Sequence, residues 1–113
     1  QRLPDLQQQL SSCSVSDEQT LQTIRQVQDR FQYTLDPHGA VGFFALEQYL
    51  QKHPQQAGYF LETAHPVKFP EAIKVATQQD VPVPQLLAPL LQREKVSTLL
   101  EADYSALRSY LLR

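Results

Sequence analysis

Residues 36–64 read DPHGAVGFFALEQYLQKHPQQAGYFLETA, and this stretch decides the expected fold. Asp36 before Pro37 is the pattern of a helix N-cap followed by proline at the first helical position. The apolar residues that follow lie on two sides of a helix over residues 37–52, so we expect that helix to be buried between layers. A proline then breaks the pattern, and residues 57–61 form a short apolar run typical of a strand buried on both faces. A helix followed by such a strand predicts an α/β fold.

A second helix is predicted upstream of this stretch. Ser16 is a good N-cap, and Gln19 three residues later can return the hydrogen bond, as in a capping box. One apolar stripe then follows at helical spacing, made of Leu21, Ile24, Val27 and Phe31. Before this helix we expect a short helix over residues 3–10 and a short strand over residues 11–15, with Cys13 as a small packing residue.

Downstream of the central stretch, the patterns predict helices over residues 69–77, 90–96 and 102–112. Ile73 and Ala76 are expected to face inward, and the prolines at 82, 84 and 89 forbid a long helix before Leu90. The predicted architecture is a partial three-layer α/β/α arrangement with few short strands and about five helices. Two strands do not make a stable parallel sheet without neighbours, so we expect part of a larger α/β domain.

Composition excludes several classes of function. The net charge is −2 and no run of Lys or Arg stands out, so no nucleic-acid partner is expected. No apolar stretch approaches the roughly 20 residues that a membrane span needs. The only cysteine, Cys13, predicts a reducing compartment, which we take to be the cytoplasm. The three histidines have no cysteine at metal-ligand spacing, so no metal is expected. The start at Gln1, without Met or a leader, suggests a trimmed or partial chain.

Three segments, taken in order, resemble the threonine synthases. They are YTLDPHGAVG at residues 33–42, ETAHPVKFPE at residues 62–71 and LEADYSALR at residues 100–108. The second segment is the most specific of the three, because a TAHP-x-KF string at the end of a buried strand occurs in few other protein families. The resemblance runs over most of the chain, from Ser14 to Leu112.

The resemblance implies a pyridoxal phosphate enzyme of the tryptophan-synthase-β type, with residues 1–113 as the C-terminal part of its large, cofactor-binding domain and no complete second domain. The parent enzyme would convert O-phospho-L-homoserine and water to L-threonine and phosphate. In relatives of this type, a Ser or Thr at the end of the last sheet strand hydrogen-bonds the pyridine nitrogen, and Thr63 takes that place here. A neutral hydroxyl can donate to an unprotonated ring nitrogen. The alternative is that Thr63 caps the following turn.

The other candidate site residues are predicted by analogy with the same enzymes. Asp36 is a second cofactor-binding candidate because its helix would start near the cofactor ring, although an N-cap role explains it completely. His38, at the same helix start, and His65 and Lys68 are substrate-side candidates. His65 and Lys68 could face the substrate phosphate, because cations suit phosphate. The alternatives are a turn histidine at His65 and a solvated side chain at Lys68.

Two features of the family are missing from this chain. The four lysines, Lys52, Lys68, Lys74 and Lys95, do not lie in the Ser-Phe-Lys-like setting of a Schiff-base lysine, and the three glycines are too dispersed for a phosphate loop. We therefore expect the chain alone to be inactive and to bind little cofactor, with the rest of the synthase chain as its partner. Self-association through exposed sheet edges is also expected. The alternative is a stand-alone, non-catalytic interaction module.

Overall fold

The computed structural model describes residues 3–112, and these residues form helices without any β-strand. The helices are α1 (Leu3–Gln7), α2 (Asp17–Phe31), α3 (Pro37–Lys52), a 3-10 helix (Pro66–Lys68), α4 (Pro70–Thr77), α5 (Ala88–Leu91) and α6 (Tyr104–Leu111). The chain divides into two units, the first ending at Pro82 and the second beginning at Val83.

The core of the first unit lies where α2 packs against both α3 and α4. Its buried apolar side chains are Ile24, Val27, Leu35, Ala40, Ile73 and Ala76. The predicted inward positions on α4 are confirmed, and so are the two central positions of the α2 stripe. Phe31, at the end of that stripe, is 54% exposed and meets Phe43 edge-on at a centroid distance of 6.3 Å.

The two ends of α2 are fixed by different devices. At its start the predicted capping box is confirmed, because the Gln19 N–H donates to Ser16 Oγ at 3.2 Å and the Ser16 N–H donates to Gln19 Oε1 at 2.9 Å. At its end Gln32 adopts the left-handed conformation, with φ of 55°. Gln78 does the same at the end of α4, with φ of 59°. Both glutamine side chains donate from Nε2 to carbonyl oxygens of the preceding turn.

Helix α3 begins and ends where the sequence predicts, but it is not buried on two sides. Gly39 and Ala40 are buried near its start, while Val41 and Tyr49 are 38% and 39% exposed. Within residues 3–112 the helix is covered by α2 and by the extended segment that follows it. The prediction that α3 lies between two layers is therefore wrong for this part of the chain.

The α/β expectation is also wrong for residues 3–112, because the predicted strand at residues 57–61 has no pairing partner. The segment is extended and packs by one face only. Phe60 meets Phe43 edge-on at a centroid distance of 5.6 Å, whereas Tyr59 and Leu61 are 87% and 72% exposed. An apolar run indicates only that a segment tends to be buried. A strand also needs a neighbouring strand to hydrogen-bond its N–H and C=O groups. Within residues 3–112 no three-layer sandwich is formed, and neither is the sheet edge through which self-association was expected.

The second predicted strand, at residues 11–15, is also absent. These residues are irregular and mostly exposed, and Cys13 is exposed rather than packed. A run of small residues carries too little apolar surface to drive burial, so the packing role predicted for Cys13 is wrong.

The second unit contains α5 and α6. Helix α5 lies earlier than the predicted span over residues 90–96, since Pro89 is tolerated in its first turn. Helix α6 lies within its predicted span and starts at the N-cap Asp103, whose carboxylate accepts the Ala106 N–H at 2.8 Å. Tyr110 donates from its hydroxyl to Thr98 Oγ1 at 3.3 Å.

Candidate functional site

The carboxylate of Glu62 joins the extended segment to the start of α3. Its Oε1 accepts the Asp36 N–H at 3.0 Å, across 26 positions of sequence. The carboxylate also occupies the space above Gly39 that a Cβ would fill. Glycine at this position lets the Glu62 side chain approach the helix backbone closely. The contact ties the end of the apolar run to the N-terminus of a helix, where negative charge is favoured.

Asp36 is the buried member of this group, with no exposed surface. Its Oδ1 accepts the His38 N–H at 2.9 Å and lies 2.7 Å from Nδ1 of the His38 ring. Its Oδ2 is buried without a donor among residues 3–112. The N-cap role predicted for Asp36 is thus confirmed. Its Oδ2 atom can still accept a hydrogen bond.

The two carboxyl groups have opposite pKa shifts. For Asp36, burial raises the pKa, but the hydrogen bond that a protonated Glu62 would donate and the hydrogen bonds from His38 outweigh burial, and the net pKa is lowered from 3.8. For Glu62, burial of the carboxyl end and then the hydrogen bond to Asp36 raise the pKa to about 7. Although the Glu62 residue as a whole is exposed, its carboxyl end is enclosed by Asp36 and Gly39. Two close carboxyl groups titrate in this way when they share one proton.

Thr63 lies beside this pair, on the wall of an open cleft of about 540 Å³. The cleft is lined by Tyr33, Thr34, Glu62, Thr63, Ala64, His65, Pro66, Val81 and Pro82. The cap of the following 3-10 helix is His65, which accepts the Val67 N–H, and not Thr63. The turn therefore does not need the Thr63 hydroxyl as its cap.

The three substrate-side candidates lie in different surroundings. His38 contacts Asp36, and its ring meets Phe69 edge-on at a centroid distance of 5.2 Å. His65 lines the cleft, and its Nδ1 accepts the Val67 N–H at 3.1 Å, so the ring hydrogen in this geometry lies on Nε2. Lys68 borders a separate groove with Phe69 and Pro70 rather than the cleft. Thus Thr63 and His65 share the cleft, whereas Lys68 does not.

Glu62 is the site residue that the sequence interpretation missed. A carboxylate directly after an apolar run looks like an ordinary polar boundary, and nothing in its spacing points back to residue 36. The available signal was the motif itself, in which Glu62 precedes Thr63, together with a glycine in the first turn of α3.

The described part of the chain contains neither of two other site types. Among residues 3–112, no three His, Cys, Asp or Glu side chains come together as metal ligands. In the same residues, no helix has the length and apolar character required to cross a membrane.

Comparison with known proteins gives one consistent family. Residues 39–111 match the family described as "Threonine synthase, C-terminal". The threonine synthase of Escherichia coli K12 is 36% identical over 104 residues, which cover 92% of this chain and 24% of that protein. The threonine synthase of Pseudomonas aeruginosa is 36% identical over 111 residues, which cover 97% of this chain and 24% of that protein.

Solved structures agree with this result. The crystal structure of threonine synthase from Escherichia coli superposes with a TM-score of 0.79 at 37% identity, over 91% of this chain and 23% of that one. A PLP-bound threonine synthase from Brucella melitensis gives a TM-score of 0.71 at 29% identity, over 96% and 23%. The chain spans 24% of the length of the curated relatives named above. It belongs to the threonine synthase family and matches the C-terminal region of its members.

Proposed function

We propose that this chain is the C-terminal part of the cofactor-binding domain of a pyridoxal-phosphate-dependent threonine synthase. The parent enzyme would convert O-phospho-L-homoserine and water to L-threonine and phosphate. The observation that carries the proposal is the position of Thr63, on the wall of the cleft and free of the capping role that His65 fills. The family match over residues 39–111 supports the same assignment.

The cleft residues fit one end of the cofactor better than the other. A pyridine ring needs a flat space and a neutral donor at its nitrogen, and Thr63 offers a hydroxyl at the wall of an open cleft. The cofactor phosphate needs backbone N–H groups or cations, and no Lys or Arg lines this cleft. We therefore infer that Thr63 faces the ring nitrogen and that the phosphate is held by the remainder of the synthase. When bound, pyridoxal phosphate supplies the electron sink for the reaction.

The role of Asp36 in this proposal is indirect. Its side chain has no exposed surface and lies behind Glu62, so it orients the cofactor-side segment instead of touching the cofactor. On the substrate side, His65 offers an Nε2–H donor to a phosphate oxygen, and His38 offers a ring that is held by Asp36. Lys68 is the weakest of the three candidates, because it borders another groove.

Exposed apolar side chains support a larger assembly. Tyr59 and Leu61 are exposed in the first unit, and Leu86, Val96 and Leu99 are 90%, 93% and 97% exposed in the second. Apolar surface on this scale is favourably buried against more protein. We propose that the rest of the synthase chain covers it, in the cytoplasm. None of the four lysines lines the cleft, which supports the proposal that the chain alone is inactive.

The test uses the full-length enzyme that contains this segment. Thr63→Val removes the hydroxyl at nearly constant volume, and we expect pyridoxal phosphate affinity and kcat/KM for O-phospho-L-homoserine to fall about tenfold. Thr63→Ser keeps the donor and should stay within about threefold of the native enzyme. Ser12→Ala, at an exposed position, is the control. Native affinity and turnover in Thr63→Val would overturn the assigned role.

A separate measurement addresses the chain by itself. The 113-residue chain is mixed with pyridoxal phosphate and O-phospho-L-homoserine, and released phosphate is measured. We expect none above the rate without protein. Turnover by the chain alone would contradict the proposal that the cofactor-anchoring lysine and phosphate loop lie elsewhere.

A further inference from the structure

The contact between Glu62 and Asp36 leaves one atom without a partner. Glu62 Oε1 accepts the Asp36 N–H, and Asp36 Oδ1 accepts from His38, so each carboxyl group is satisfied on one side. Asp36 Oδ2 is fully buried and accepts from no donor in residues 3–112. A buried carboxylate oxygen without a donor costs about 1–3 kcal/mol, which is why such atoms rarely stay unpaired.

The Glu62 carboxyl lies beside Asp36, since its Oε1 accepts the Asp36 N–H at 3.0 Å, and a hydrogen bond between the two carboxyl groups lowers the pKa of Asp36 and raises that of Glu62. A carboxylate donates nothing, but a protonated carboxyl donates one hydrogen bond. A single proton on Glu62 would supply the donor that Asp36 Oδ2 lacks. The pair then carries one negative charge at the N-terminus of α3, where the helix dipole and the His38 ring favour it.

Glu62 also borders the cleft and directly precedes Thr63 in the chain. From these contacts we propose that Glu62 is a positioning residue, which holds Thr63 at the cofactor by sharing one proton with Asp36. The proposal rests on the proposed function, because it takes Thr63 as the residue that faces the ring. Loss of the shared proton places two carboxylates side by side and releases the segment from α3.

The direction of the pH dependence follows from the groups that face Glu62. At the start of α3 these are Asp36 and His38, and the titratable side chains that line the same cleft are Tyr33 and His65. Glu62 has a pKa of about 7 in the folded protein and 4.5 as its ordinary value. The folded state binds the extra proton between these values, so the stabilisation is complete below 4.5 and is lost as the pH rises through 7.

The experiment compares Glu62→Gln and Asp36→Asn with the native full-length enzyme between about pH 4.5 and pH 9, a range that spans both pKa values of Glu62. Two quantities are measured at each pH, the affinity for pyridoxal phosphate by fluorescence and the melting temperature of the cofactor-free enzyme. Glutamine donates a hydrogen bond at every pH, so Glu62→Gln should keep its low-pH affinity throughout. Asp36→Asn keeps the N-cap, and its amide donates to an ionised Glu62, so it should show the same flat profile.

In the native enzyme we expect affinity to fall by about threefold to tenfold per pH unit above 7, relative to Glu62→Gln at the same pH. The melting temperature of the cofactor-free native enzyme should fall between about pH 4.5 and pH 7, where only the folded state holds the proton, and should show no further fall from this group above pH 7. Glu71→Gln, on α4 away from the cleft lining, is the control and should retain the native slope. Ionisation of the cofactor itself is common to all variants and cancels in the comparison.

The outcomes separate this inference from the proposed function. If cofactor affinity and melting temperature depend on pH in Glu62→Gln as they do in the native enzyme, the proposal of a shared proton is wrong. Thr63→Val should weaken cofactor binding at every pH while the melting temperature keeps its native slope. The alternative result is that Thr63→Val binds the cofactor as the native enzyme does, while the melting temperature of Glu62→Gln does not change with pH. That result would contradict the role of Thr63 and would still support proton sharing between Glu62 and Asp36.

Discussion

The carboxylate of Glu62 occupies the space that a Cβ on residue 39 would fill. Gly39→Ala therefore sets two effects against each other. Alanine favours the helix by about 0.5–1 kcal/mol, whereas displacing the carboxylate loses the hydrogen bond from the Asp36 N–H, worth about 1 kcal/mol. We expect the free energy of unfolding in urea to change by less than about 1 kcal/mol, and cofactor affinity to lose its pH dependence.

Gly42 is a second glycine of the same helix, and its surroundings differ. A Cβ there would lie 3.5 Å from Phe60 Cβ, an ordinary van der Waals distance. Gly42→Ala should therefore stabilise the fold by about 0.5–1 kcal/mol through helix propensity, with cofactor affinity unchanged. A lower urea midpoint in this variant would mean that Phe60 packs against the helix more tightly than this distance indicates.

The capping box at the start of α2 should contribute measurably to the free energy of unfolding. Ser16→Ala removes the acceptor of the Gln19 N–H and leaves that donor without its partner. We expect a loss of about 1 kcal/mol in the free energy of unfolding. Ser14→Ala, two residues earlier and exposed, should leave the urea midpoint in place. Equal midpoints for the two variants would argue that α2 is held by packing alone.

The core of the first unit depends on Ile73, which is 2% exposed. Ile73→Ala leaves a cavity in this core, and we expect the free energy of unfolding to fall by about 2–5 kcal/mol. Val75 on the same helix is 62% exposed, so Val75→Ala should change the free energy of unfolding by less than about 0.5 kcal/mol. Thermal or urea unfolding followed by circular dichroism measures both. Similar costs for the two substitutions would contradict the assigned orientation of α4.

Local signals in the sequence predicted the helices well. The capping box at Ser16 and the Asp36-Pro37 start each depend on contacts within a few residues, and both helices begin where these signals lie. The strands failed for a non-local reason. The run at residues 57–61 is extended and apolar, but pairing depends on a second segment, and no such segment exists within residues 3–112.

In the candidate site, too, the sequence motif indicated individual residues but not the contacts between distant ones. The placement of Thr63 at a binding edge came from the motif, and the structure puts that residue on a cleft wall. The Glu62–Asp36 contact joins residues 26 positions apart, and no periodicity encodes it. Lys68 is close to the motif in sequence but borders a different groove in space, and its substrate-side role stays a prediction.

Helices α2 and α4 both end in a left-handed glutamine, where glycine is the usual residue. A side chain in this conformation costs about 1 kcal/mol relative to glycine, and part of that cost is offset because each amide hydrogen-bonds the last turn. At these two helix ends, side-chain amides therefore offset a strain that glycine avoids through its backbone freedom. A residue at either position with neither the backbone freedom of glycine nor an amide that reaches the last turn should therefore weaken that helix end.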